Sequence, residues 1–301
     1  MNNLGLLVEK IKRDKGFDLS GYKESTLTRR IERRIRFDGA ESLEEYITMI
    51  DRDYHLYWRL VSDFFIGVTD FFRDKEIWKT VQEKVLPEII ATKGKGQGPL
   101  RMWSAGCSTG EETYSLAIAV RETLRKSEIK DLPVFIYGTD IMEDKLEQAK
   151  RGIYSEDKLK GVNGNVRFRY FERIADDLNV IARRHEVPTK QSRREIASLT
   201  SFARNDRSTI RYTLNASTKR LTRFRKYDLA RPETMTGFDM IVCRNVLIYF
   251  ERKLQEKVIK HFHKALRPRG LLWLGKAESL SKETESLFEP VYKKERIFRK
   301  L

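Results

Sequence analysis

MWSAGCSTGEETYSLA, residues 102–117, sets two glycines and two adjacent carboxylates between an apolar strand and an apolar helix. A strand that runs into a glycine turn and out into a helix is how an α/β fold brings a ligand to the carboxyl edge of its sheet. Glycine lets the backbone approach that ligand closely. The turn is Gly106-Cys107-Ser108-Thr109-Gly110, without the GxGxxG spacing, and no lysine follows the second glycine. A phosphate cradle is therefore not expected. Glu111 and Glu112 would repel a pyrophosphate and would suit a ligand carrying an ammonium group, such as the amino-acid end of S-adenosylmethionine. Acids at a helix N-terminus, where the macrodipole favours them, account for the pair equally well. The next strand, VFIYGTD, ends in Asp140, where an acid accepts from ribose hydroxyls. Taken together, the two strand ends favour an adenosyl cofactor without phosphates.

Outward from this stretch the chain alternates. PLRMWSAG, LPVFIYGTD, FDMIVCRN and GLLWLGKAE read as strands, and EETYSLAIAVRETLRK, EDKLEQAKRG and ERKLQEKVIKHFHKAL read as the helices between them. That order predicts a parallel, doubly wound sheet, closed by a terminal hairpin in PVYKKERIFRKL. Upstream, LGLLVEKIK, STLTRRIERRIRF, SLEEYITMI and HLYWRLVSDFF show three- and four-residue apolar spacing, so the first part of the chain reads as helices. Ser42-Leu43-Glu44-Glu45 is a capping box for the third. Residues 152–226 break the rhythm: GNVRFRYFERI and STIRYTLNASTKRLTRFRKYDL read as short strands around a polar, basic stretch at 175–209. The expected division is a helical block with a linker helix over 1–85 and a sheet domain over 86–301, with 152–226 inserted.

The net charge is +16, and its distribution is informative. Residues 1–66 balance, with 12 basic and 12 acidic side chains, whereas 151–226 carry 19 against 8. The excess suggests an acidic partner. No apolar run approaches the length of a membrane span, and the N-terminus lacks the charged-then-apolar pattern of a secretory signal. Cys107 and Cys243 are the only cysteines, outside any CxxC context, which fits a reducing cytoplasm and excludes a disulfide framework and a structural zinc site; no metal is expected.

With WSAGCSTGEETYSLA, YGTDI, GIY, CRNVLIYF and an upstream VTDFFR in this order, the chain resembles the chemotaxis receptor methyltransferases of the CheR type. The likeness covers nearly everything except about 175–209. It implies a Rossmann-like, S-adenosylmethionine-dependent methyltransferase sheet, an all-helical N-terminal domain that recognises receptors, and a small inserted β-subdomain. It also implies methyl transfer to receptor glutamates, giving methyl esters and S-adenosylhomocysteine. By position, the family pattern places Thr69 and Arg73 at the cofactor and active site, and Gly106 in the cofactor turn. It gives Glu111 and Glu112 the methionyl amino group and Asp140 the ribose. Asp228 and Leu229 lie beside the adenine, Asn245 and Val246 line the cofactor, and Tyr249 faces the methyl group. Gly67 departs from the pattern, which often has asparagine there.

The chemistry is consistent with the residues. A glutamate is already ionised at neutral pH, with a reference pKa of about 4.3, so its methylation needs no general base. His55, His185, His261 and His263 lie outside every motif. Joining a carboxylate to a sulfonium destroys charge, which an apolar pocket favours, and Phe71 and Phe72 are candidates to supply it. In STLTRRIERRIRF, Leu27, Ile31 and Ile35 form one stripe and Arg29, Arg33 and Arg36 fall opposite. An ordinary solvated face accounts for such a run, but five arginines with one glutamate are unusually one-signed. In the family this helix meets the receptor's acidic methylation region. Two rivals remain at this level: a nucleic-acid methyltransferase, against which RNVLIYF replaces the PP-[YF] element of base-amine enzymes, and a non-catalytic cofactor-binding protein.

Overall fold

The computed structural model describes residues 3–65, 67–93, 96, 98–129, 131–174 and 210–301. The basic stretch 175–209, with His185, lies outside them. The N-terminal block comprises α1 (Asn3–Lys15), α2 (Glu24–Asp38), α3 (Leu43–Arg52) and α4 (Tyr54–Phe64). Their apolar stripes meet around Leu7, Ile11, Leu27, Ile31, Tyr46 and Leu60, all buried. Ser42 caps α3 by accepting from the Glu45 N–H, a bond worth about 1 kcal/mol. The Glu45 carboxylate accepts from the Glu41 N–H instead of that of Ser42, so the expected box is displaced by one residue.

A rod follows: α5 (Lys75–Thr80), a π turn over Val81–Val85, and α6 (Leu86–Lys93). Ile77, Trp78, Val81 and Leu86 pack into the same core as the sheet residues Met102, Val242 and Trp273. The rod thus belongs with the sheet, and a boundary at residue 85 would cut through it.

The sheet comprises β1 (Leu100–Ala105), β2 (Val134–Asp140), β6 (Thr222–Lys226), β7 (Phe238–Cys243), β8 (Leu266–Leu274), β9 (Phe288–Tyr292) and β10 (Ile297–Lys300), in the spatial order β6-β2-β1-β7-β8-β10-β9. The first five are mutually parallel and β10 pairs antiparallel with both β8 and β9. Every residue of β7 is buried, as expected of a strand covered on both faces. Helix α7 (Glu111–Lys126) covers one face, α10 (Arg252–Ala265) the other, and α8 (Glu143–Arg151) follows β2. The strand order reverses between β1 and β7, and that switch point is where such sheets bind ligands.

A second sheet is small and antiparallel: β3 (Ile153–Ser155), β5 (Arg211–Leu214) and β4 (Phe171–Ile174), in that order. Two sequence expectations fail around it. GNVRFRY forms helix α9 (Gly164–Tyr170), opened by Asn163 accepting from the Asn165 N–H. TRFRK is β6, which lies parallel to β2 in the large sheet, so the excursion closes before residue 222. Among the described residues, no helix is long and apolar enough to cross a membrane.

Candidate cofactor and substrate cleft

Two adjoining cavities, of about 420 and 90 Å³, open at the switch point and share Gly67, Gly106, Ser108, Asn245 and Tyr249. The smaller is lined further by Asp140, Asp228, Leu229 and Val246. The larger adds Arg29, Arg30, Arg33, Arg36, Thr69, Arg73, Glu112 and Arg244. Residues far apart in sequence are thus gathered into one cleft, with Asp140, Glu112 and Arg244 from the sheet side and Arg29, Arg30, Arg33 and Arg36 from α2.

Backbone geometry builds the sheet side. Gly106 leaves β1 at φ 75°, and a Cβ there would come within 2.5 Å of Val246 Cγ2. The N–H groups of Gly106 and Cys107 donate to the Thr139 carbonyl, that of Gly110 to Cys107, and that of Ser108 to Asp140 Oδ2 at 2.8 Å. These turn donors are committed within the protein, so they offer no phosphate cradle. The other Asp140 oxygen accepts from the Met142 N–H at 3.0 Å. Burial raises the Asp140 carboxyl above its ordinary range, and the backbone bonds oppose that rise.

Of the two adjacent glutamates, only Glu112 reaches the cleft. Successive helical residues point about 100° apart, so one of a neighbouring pair must turn away. Glu112 accepts from Ser104 Oγ at 2.9 Å and faces Arg244 Nη1 at 3.4 Å. Burial raises its carboxyl, with Arg244 working against the rise. Glu111 is fully buried and lines neither cavity; it accepts from Thr109 Oγ1 at 2.6 Å and lies 3.5 Å from Lys158 Nζ. Its expected contact with an amino group is not what this geometry offers.

The segment VTDFFR is pinned from below. Phe71 packs edge-on against Tyr154 and Phe171, Phe72 against Trp78, and the Phe72 N–H donates to Ser115 Oγ at 2.9 Å. Neither phenylalanine lines the cleft, contrary to the expectation that they would dry it; they hold the turn that presents Thr69 and Arg73. Phe72 and Asp74 sit at φ 52° and 64°, and Ser108 and Asn245 at 48° and 61°. Each such non-glycine conformation costs about 1–3 kcal/mol and collects at functional sites. Arg73 is exposed, and its Nη1 donates to the Val68 carbonyl at 3.0 Å. At Gly67, a Cβ would meet Ser108 Oγ at 2.7 Å, so an asparagine would displace the serine.

The helical side is held over the cleft by main chain. The Lys23 N–H donates to the Tyr249 carbonyl and the Glu251 N–H to Gly21, which ties the start of α2 to the loop after β7. Arg30 is buried, with its guanidinium 4.8 Å above the Tyr249 ring. Arg29, Arg33 and Arg36 are exposed and face the cavity. His55, His261 and His263 line neither cavity; His261 instead meets the Tyr227 hydroxyl at 2.8 Å.

Sequence reasoning overlooked Arg244. It bridges Glu112 and Asp74, the latter at 2.5 Å, and lies 4.7 Å above Trp273. Its place inside CRNVLIYF was the available signal.

A carboxylate at the end of β2 and another in the first turn of α7, a turn with its backbone donors committed, and a doubly wound sheet fit an S-adenosylmethionine-dependent methyltransferase. Comparison with known proteins makes the assignment specific. The chain belongs to the CheR methyltransferase family: residues 2–65 match its all-alpha domain, and 67–189 and 182–297 match its SAM-binding domain. A Pseudomonas putida protein named Cher3 is 30% identical over 98% of this chain and 95% of its own length. The chemotaxis protein methyltransferases of Listeria innocua and Escherichia coli K12 are 30% and 29% identical, over 90% and 88% of this chain and 87% and 80% of theirs.

Proposed function

We propose that the chain methylates glutamate side chains of chemotaxis receptors, yielding glutamate methyl esters and S-adenosylhomocysteine, and that it does so in the cytoplasm. The observation that carries this reading is one cavity lined by Glu112, with its partner Arg244 and the neighbouring Arg73, and by Arg29, Arg30, Arg33 and Arg36 of α2. An acid for a cofactor's ammonium thus shares a cavity with guanidinium groups for an anionic acceptor.

In this reading Glu112 takes the ammonium, Asp140 accepts from the ribose, Asp228 accepts from the adenine amine beside Leu229, and Thr69, Gly106, Asn245 and Val246 shape the walls. S-adenosylmethionine supplies an electrophilic methyl group when bound. Arg73 and the hydroxyl of Tyr249 orient the incoming carboxylate. Arg73 is exposed and does not neutralise its partner fully, which leaves the carboxylate nucleophilic. No group need remove a proton, and among the described residues no histidine lines either cavity. Alignment of this kind supplies up to ~7–11 kcal/mol of the barrier in ideal cases. Arg29, Arg33 and Arg36 engage the acidic surface around the target glutamate.

The test is transfer of a labelled methyl group to receptor cytoplasmic domains, followed by mild base. Release of label as methanol supports the ester. Base-stable label, or label entering RNA or DNA but no receptor, overturns it.

A further inference from the structure

Glu278 plays no part in the contacts described so far, yet it is only 4% exposed and its carboxylate lies against the loop that carries Asn245 and Val246. Oε1 accepts from the N–H groups of Val246 at 2.8 Å and Leu247 at 2.7 Å. Oε2 accepts from Asn245 at 3.0 Å and Gly275 at 2.7 Å. Four backbone donors therefore converge on one side chain, from the loop after β7 and from the residue after β8.

We infer that Glu278 is a positioning residue for the cofactor site, and that it must act as an ionised carboxylate. Two oxygens offer about four lone-pair directions, and all four are used. A glutamine would turn one oxygen into an NH₂ group facing two N–H donors, so the usual isosteric replacement is here a donor-to-donor conflict. What the carboxylate holds is specific. Asn245 lines both cavities at φ 61°, and Val246 fills the space above Gly106. Releasing these N–H groups removes the bonds that fix Asn245 in its left-handed conformation, which asparagine tolerates but does not hold by itself.

Gly275 supports the assignment independently. A Cβ there would lie 2.7 Å from Glu278 Oε2 and 2.9 Å from the Asn245 nitrogen. The carboxylate and the loop thus approach the backbone at a point where a side chain would intrude on both.

The inference rests on the cofactor and not on the identity of the methyl acceptor, so its test uses S-adenosylhomocysteine alone. Titration calorimetry of Glu278→Gln well below its melting temperature is expected to show at least a tenfold loss of affinity. Gly275→Ala should lose affinity in the same direction, and Glu278→Asp should recover part of the loss. Unchanged affinity in folded Glu278→Gln overturns the proposal, since a merely structural role would lower the melting temperature alone. Amide exchange in the unsubstituted protein without ligand gives a second readout that requires no variant. Slow exchange at Asn245, Val246, Leu247 and Gly275 is expected, and rapid exchange at the first three overturns the proposal.

Discussion

On the sheet side of the cleft, Asp140 and Glu112 are held by the Ser108 and Met142 N–H groups, the Ser104 hydroxyl and Arg244. On the α2 side, Arg29 and Arg36 are exposed without an ion pair among the described residues, and Arg33 reaches only Asp63 at 2.9 Å. One wall has its charges fixed by partners before anything binds; on the other, Arg30 is buried against Tyr249 and Arg33 pairs with Asp63, while Arg29 and Arg36 extend into solvent. Fixed dipoles suit a small molecule of constant shape, because little reorganisation is left to do on binding. Exposed arginines suit a macromolecular surface whose acids vary in position, and they act at longer range through the field they create.

The sharpest way to break this contrast is at Asp140. Asp140→Ala strands two backbone N–H groups as well as removing the proposed ribose acceptor. Each charge-assisted bond is worth about 1.5–3 kcal/mol, so calorimetry should show product affinity falling by roughly 100-fold or more. Next comes the glutamate pair. Glu112→Gln should weaken product binding by about tenfold, whereas Glu111→Gln should leave it within about twofold and lower the melting temperature. Equal effects on binding would mean that both carboxylates face the cofactor.

The arginine wall should respond differently. Arg33→Glu with Arg36→Glu should raise the KM for receptor by about tenfold while product affinity stays put, and the unsubstituted protein's kcat/KM should fall as salt is added. Unchanged receptor kinetics would reduce α2 to a solvated face.

The smallest effect is on pH. Burial holds the Glu112 and Asp140 carboxyls above the ordinary range. As pH falls they take up protons before exposed carboxylates do, so product affinity should decline gradually as pH falls toward the carboxylate range. Their contribution to folding runs the other way. Because the fold raises these pKa values, the stability they add is fullest below the unfolded values and is lost as pH rises through the folded ones. Calorimetry and melting curves over the same pH series separate the two trends.

Much of this was legible from residue order. The apolar runs of β1, β2, β7 and β8, the glycine turn and the acid closing β2 placed the cleft without coordinates. The misreadings have local causes. Val166, Phe168 and Tyr170 alternate with Arg167 and Arg169, a two-residue period that reads as strand, but Asn163 supplies a helix cap and the segment coils. Arg223 and Arg225 alternate likewise within β6, and only its pairing with β2 reveals which sheet it joins. Glu111 and Glu112 are indistinguishable in sequence because the phase of the helix relative to the cleft decides between them. Glu278 escaped notice because its partners are main-chain groups, which carry no signature in the order of side chains.

Ile174 and Arg211 face each other across the paired strands β4 and β5. The antiparallel pairing of β4 with β5 thus fixes two residues 37 positions apart in the sequence as direct neighbours, so the small sheet holds both ends of the intervening chain side by side.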